Sequence, residues 1–210
     1  MLETLWALAS AALGLGPRPV TDSDMVRVYE QAKTPYKYGI VLRGSDGDMV
    51  DCPQVFRHKG RWYMTYIRFD GDGYDTRLAE SADLLSWKPL GPILSRRSGR
   101  WDAEQVAGFT SLHDPRWGGS AALGRHKGRY WMTYVGGALK GYETDPLSIG
   151  VASTLKLASA QEWQREDRPV LSPSDADARH WERLTLYKSC VIHDRKRQLG
   201  VPYVMYYNAK

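Results

Sequence analysis

The sequence predicts an all-β fold made of successive four-stranded sheets set around an axis. Three observations predict it. The stretch HKGRWYMTY at 58–66 recurs as HKGRYWMTY at 126–134. Glycine, proline, tyrosine and tryptophan number 20, 11, 13 and 8 in 210 residues, so turns and half-buried strands outweigh long apolar helical stripes. Each repeat, about 68–80 residues long, holds four short strand patterns, and one such sheet cannot cover both its faces without neighbours. A sandwich of two duplicated sheets satisfies the same observations and remains the alternative.

The elements follow in order. Residues 1–35 carry no β pattern, and Ile40-Val41-Leu42 suggests a first short strand. VDCPQVF at 50–56 is the next, HKGR is a tight turn whose Lys-Gly pair suits positive φ, and WYMTYIRF is the returning strand. DGDGYDT at 70–76 is a loop, RLAESAD at 77–83 a third strand, and PLGPIL a fourth, edge-like strand because proline lacks a ladder donor. The second unit is predicted to open with GGSAALG at 118–124, which sets Gly119 at the place of Asp51. WMTYVGG and SIGVAS follow, Trp163 answers Trp87, PVL at 169–171 answers PIL at 92–94, and Trp181-Glu182 answers Trp101-Asp102. LYKSCVI at 186–192 and PYVMYYNAK at 202–210 begin a third unit. Two units and part of a third leave an unclosed ring with open edges, so further C-terminal blades are expected. The domain organisation is thus an N-terminal segment, 1–35, and a partial β-propeller domain, 36–210.

Net charge is +5, with 29 basic residues diluted by 24 acidic ones, which describes a solvated surface and no nucleic-acid partner. Two cysteines, Cys52 and Cys190, are too few for a disulfide scaffold and are expected as buried thiols. The apolar stretch at 5–16 is too short to span a membrane. It has the look of a signal h-region, yet Glu3 precedes it and no Lys or Arg does. Secreted, periplasmic and cytoplasmic placements stay open, as does a short docking helix.

The order of motifs resembles the five-bladed β-propeller glycosidases around glycoside hydrolase family 43. The likeness covers about residues 36–210. It rests on Asp51-Cys52-Pro53 at a blade start, on GRWYMTY, on AESADLLSW at 79–87, and on MYYNAK at 205–210. The resemblance implies a funnel at the centre of one propeller face, a carbohydrate substrate, no cofactor, and hydrolysis of a glycosidic bond by acid–base chemistry. A non-catalytic carbohydrate-binding or protein-docking propeller is the alternative. The resemblance makes the first-blade aspartate, here Asp51, the general base of an inverting member. The tuning aspartate of the third blade has no match, since Lys188 stands there, and the glutamate of the fourth blade would lie past Lys210.

Inverting hydrolysis needs a carboxylate that activates water opposite a protonated acid, and the repeat can supply such acids from different strands. Asp114, in LHDPRWGG, is the second catalytic candidate, against an Asp-Pro turn as its plain structural role. His113, Trp117, Glu143 and Lys188 are candidates for binding substrate. Asp70, Asp72 and Asp75 in DGDGYDT, and Glu143 and Asp145 in GGALKGYETD, share a Gly-Tyr-acid-Thr pattern that predicts one structural role in both units. DGDG lacks the closing glutamate of a calcium loop, so no metal is expected. His58 and His126, in the matched turns, are expected to face solvent. No phosphate loop or nucleophile elbow appears.

Overall fold

The computed structural model describes residues 19–33, 37–45, 47–114, 116 and 118–210. The apolar stretch at 5–16 lies outside them. Helix α1 (Asp22–Ala32) starts at a capping box, in which the Thr21 side chain accepts from the Asp24 amide and Asp24 accepts from the Thr21 amide. None of its residues is buried. The expected strand at Ile40-Val41-Leu42 does not form. Ile40 and Val41 are exposed and meet no ladder partner, while Leu42 packs against the cluster of Met64, Tyr66 and Ala79.

The rest is antiparallel sheet. The first sheet is β1 (Met49–His58), β2 (Arg61–Phe69), β3 (Tyr74–Ser81) and β4 (Trp87–Leu94), paired in chain order. The second is β5 (Gln105–Thr110), β6 (Tyr130–Gly137), β7 (Ser148–Thr154) and β8 (Gln164–Arg165), again in chain order. A hairpin of β9 (Leu186–His193) and β10 (Tyr203–Ala209) forms the third. Chain-ordered meanders of this kind are the units of a propeller, and no sheet closes on itself.

The second unit therefore opens at Gln105 and not at Gly118. QVAGFT is buried at all six positions, so it shows no alternation to read. GGSAALG lies in the loop between β5 and the second HKGR turn. Register corrects the equivalence too. Asp51 pairs with Ile67, Ala107 with Val135, and Tyr187 with Asn208. Since Ile67, Val135 and Asn208 occupy the same place in their strands, Ala107 and Tyr187 stand where Asp51 stands, and Gly119 does not. Between Asp51 and Gln54, and between Tyr187 and Cys190, the ladder slips by one residue. The first residue of each bulge is left-handed, Cys52 at φ 49° and Lys188 at φ 50°. Strand β5 has no such bulge.

The main core lies between the first two sheets, where Phe56, Leu78 and Ile93 meet Val106, Met132, Tyr134 and Trp163. Polar ties lock the sheets together. Thr76 Oγ1 donates to the Val106 carbonyl at 2.7 Å and accepts from the Gly108 amide at 2.7 Å. The Gln54 carboxamide oxygen accepts from Thr110 Oγ1 at 2.7 Å. The matched histidines are part of the same joinery and do not simply face solvent. His58 meets the Tyr130 ring edge-on at 5.8 Å, and His126 Nδ1 lies 2.8 Å from Tyr203 Oη, so each turn reaches the next sheet. The repeated HKGR is thus a repeated joint. The thiols also depart from expectation, Cys52 being half-buried and Cys190 exposed.

Gly150 shows how tight the second sheet is. A Cβ there would collide with the ring of Tyr134, which is fully buried and stacked on Trp101 at 5.5 Å. Gly150→Ala is expected to lower the unfolding free energy by about 1–3 kcal/mol, the range for overpacking a closed core. Urea denaturation measures it, and an unchanged midpoint would show that Tyr134 has room to move.

Candidate functional site

The starts of β1, β5 and β9 converge on one open hollow. Its space, mouth included, is about 400 Å³. The floor is apolar: Ile67, Ala107, Phe109, Val135 and Leu147. Tyr74 and Tyr187 add aromatic walls, and the polar groups are Asp51, Cys52, Gln105, Glu143 and Lys188. A concave apolar floor with a few convergent polar groups is the general form of a small-ligand site.

Each polar group arrives by a different route. Asp51 sits on β1 just before the bulge and is exposed at the rim. Cys52, the left-handed residue beside it, has its thiol pKa pushed up to about 12, first by burial and then by the Asp51 carboxylate. It is an inert thiol at neutral pH. Lys188 occupies the same bulge position in β9, and its Nζ lies 3.8 Å from the Glu143 carboxylate. Glu143 rides on the loop before β7, itself left-handed at φ 45°, a conformation that a non-glycine residue holds only when its surroundings enforce it.

The enforcing contacts are visible. Buried Gln105 donates from Nε2 to the carbonyls of Leu139 and Gly141 at 2.8 and 2.7 Å. The Gly141 amide donates to the Asp72 carbonyl at 2.6 Å, and Lys140 pairs with Asp72 at 3.0 Å. Gln105 and Asp72 thereby pin the loop that carries Glu143 to both sheets. Tyr142 of the same loop meets Phe69 and Tyr74 at ring distances of 5.6 and 5.8 Å.

The shared Gly-Tyr-acid-Thr pattern does not mark one structural role. Asp75 lies buried on β3, between the guanidinium groups of Arg68 at 2.6 Å and Arg77 at 3.0 Å. Glu143 stays in the loop and borders the hollow. Register makes Ile149, and not Thr144, the counterpart of Thr76, since they pair with Val135 and Ile67.

His113 and Asp114 lie elsewhere. They follow the end of β5 and line a separate cleft with Arg116, Arg125, His193 and Lys196. Gln105 to Thr110 alone spans about 16 Å of strand, so the two ends of β5 are well apart. Asp114 is closed onto Arg116, with Nη2–Oδ2 at 2.7 Å, and this pairing holds its carboxyl far below the usual carboxylate range. Trp117 lies outside the described residues. Sequence reasoning missed Gln105, Tyr74 and Tyr187 as members of the hollow. The signal that finds them is strand register, which sequence spacing alone does not supply.

His113 gives a pH prediction. Its Nε2 lies 2.6 Å from Thr110 Oγ1, and burial pushes its pKa below the ordinary 6.5. The unfolded chain then binds more protons than the folded one between the two values, so stability falls as pH drops through about 6.5. Comparing urea midpoints at pH 7.5 and 5.5 checks this, and His113→Gln is expected to shrink the difference.

Among the described residues no group of three or more His, Cys, Asp or Glu is arranged to hold a metal, and no helix is long and apolar enough to cross a membrane. No family model and no curated protein matches this chain. Solved structures do. A complex of BT0996 with RGII is 48% identical, with a TM-score of 0.88 over 91% of this chain. A second structure, named "Glycoside hydrolase", is 47% identical with a TM-score of 0.87 over 91% of this chain. This chain spans 57% of the length of each. A family 43 β-xylosidase/α-arabinofuranosidase, CoXyl43 from a compost microbial metagenome, shares the fold at 14% identity and a TM-score of 0.50, over 77% of this chain and 43% of that one. By the order of its sheets and by this kinship, the chain belongs to the superfamily of β-propeller glycosidases that includes glycoside hydrolase family 43.

Proposed function

We propose that the chain provides the first part of a five-bladed propeller, residues 36–210, and that its hollow is the site of glycosidic bond hydrolysis. The observation that carries this is the meeting of two carboxylates from different sheets, Asp51 on β1 and Glu143 on the pinned loop, at one apolar-floored hollow. Two acids facing one cavity are the chemical requirement for general acid–base cleavage of an acetal. Tyr74 and Tyr187 offer rings against which the apolar face of a sugar stacks. Lys188 neutralises Glu143 and donates hydrogen bonds, a role suited to a substrate hydroxyl or to charge that develops at the bond being cleaved. Asp114 and His113 have no part at this hollow.

The kinship supports a carbohydrate substrate, since the 48% identical neighbour is a complex with RGII. The test is release of reducing sugar by the full-length protein from a glycan panel that includes RGII. Asp51→Asn and Glu143→Gln serve as paired controls. Hydrolysis that needs both carboxylates supports the reading. Binding of glycans with no turnover in any member of the panel would turn the site into a carbohydrate-binding one.

A further inference from the structure

The cleft at the far ends of β5 and β9 has no part in the proposed hydrolysis. It is also larger than the hollow, with about 1410 Å³ of space including its mouth. One wall is the loop after β5, which supplies Arg116 and Arg125. The other is the β9–β10 turn, which supplies Arg195 and Lys196. Two aspartates line it as well, but both are already engaged. Asp114 is bound bidentately by Arg116. Asp194 accepts the amides of Lys196 at 3.0 Å and Gln198 at 2.5 Å and so folds the turn. Arg125 rests on the Tyr130 ring at 4.5 Å, which fixes the base of its side chain and leaves its donors outward. Arg195 and Lys196 are exposed at the turn. With four cations against two satisfied carboxylates, the cleft carries an excess of positive charge.

We propose that this cleft binds a carboxylate-bearing glycan, a chain of uronic acid residues, at a site separate from the hollow. Three features favour uronates over a compact phosphate. The cations come from two walls and are spread along the cleft, whereas a phosphate site gathers backbone amides into one nest. Guanidinium forks match planar carboxylates, as Arg116 on Asp114 already shows in the wall itself. The His193 ring, stacked on Tyr203 at 4.9 Å, gives a flat surface beside the charges for a sugar face. The glycan class follows from the proposed function, but the cleft's charge does not depend on it.

The experiment is calorimetric titration of the full chain with an oligogalacturonate and with its fully methyl-esterified form, which has the same backbone without the charge. The acid form is expected to bind, with affinity falling as salt rises, and the ester to bind at least about tenfold more weakly. Arg195→Ala/Lys196→Ala, a double substitution at an exposed turn, is expected to weaken binding of the acid form about fivefold or more, as the loss of two exposed ion pairs implies. Asp51→Asn is expected to leave it unchanged. Equal binding of acid and ester, or an unaltered affinity in the double variant, overturns the proposal. So does displacement by inorganic phosphate at matched ionic strength, which would mean a general anion site. Tighter binding of duplex DNA than of the oligogalacturonate would assign the cleft to nucleic acid and overturns it too. Hydrolysis at the hollow with no uronate binding removes only the cleft. Uronate binding without hydrolysis anywhere removes only the glycosidase reading.

Discussion

Asp102→Ala is expected to lower the unfolding free energy by about 3–5 kcal/mol, the cost of breaking a buried ion pair from one side. Asp102 is fully buried just before β5. Its Oδ2 receives Arg165 Nη1 at 2.8 Å and Tyr134 Oη at 2.9 Å, and its Oδ1 receives Arg100 Nε at 3.1 Å. Arg165 is buried too, and its remaining donors reach the Ser95 carbonyl at 2.8 Å and Glu162 at 3.1 Å. The knot therefore ties the end of the first sheet to the short edge strand of the second. Removal of the carboxylate leaves a guanidinium in the interior without its main counter-charge, and the buried Tyr134 hydroxyl without an acceptor. For a chain of this size the melting temperature is expected to fall by about 10 °C or more. The double variant Asp102→Ala/Arg165→Met is expected to recover part of the loss, because it removes the orphaned charge instead of the contact. A loss under about 1 kcal/mol in the single variant would mean that water reaches Arg165 freely. The third unit repeats the tie in weaker form, with Tyr207 Oη donating to Glu182. That is the physical content of the sequence match between Trp101-Asp102 and Trp181-Glu182.

Strands with one clear signal were legible from sequence. GRWYMTY, WMTYVGG, PLGPIL and MYYNA all fall on observed strands. Trp87 and Trp163 do hold matching places, Trp87 opposite Ser81 and Trp163 just ahead of Gln164, the partner of Ser153. Three kinds of feature were not legible. Strand β5 is buried on both faces and contains a glycine, so neither alternation nor β-branched density marks it. The long loop between β5 and the second HKGR then shifted the count, and Gly119 took the place that belongs to Ala107. Bulges were also hidden. Cys52 and Lys188 share a backbone conformation and a place in the ladder, yet their side chains have nothing in common. The Tyr-acid-Thr match misled because identical triplets entered different surroundings. Asp75 continues straight into β3 between two arginines, while insertion before β7 leaves Glu143 on a loop. A carboxylate's duty here is decided by how soon the next strand begins, and sequence spacing does not show that.

The two carboxylates at the hollow are expected to differ in what their loss does. Asp51→Asn and Glu143→Gln keep size and shape and remove only the ability to carry or exchange a proton. Each is therefore expected to lower kcat by about 10²–10⁴-fold with little change in KM, the usual weight of one general acid or base. Their supports are unlike, which gives a sharper test. Asp51 stands on a paired strand and needs no helper. Glu143 depends on Gln105, whose two hydrogen bonds hold the loop carbonyls of Leu139 and Gly141. Gln105→Leu is then expected to lower kcat by loosening Glu143 while leaving the Asp51 limb of the pH–rate profile in place. Gln105→Glu keeps the shape but replaces the donor with an acceptor facing two carbonyls, and is expected to do more harm than Gln105→Leu. Lys188→Met is expected to move the limb that belongs to Glu143 upward in pH, because the ammonium 3.8 Å away favours the ionised carboxylate. NMR of the first-formed sugar anomer decides how the pair works. Carboxyl groups about 5–5.5 Å apart go with retention, and those about 6.5–9.5 Å apart, with room for water, go with inversion. Full activity in both amide variants would place the chemistry on other residues and leave the hollow as a binding pocket.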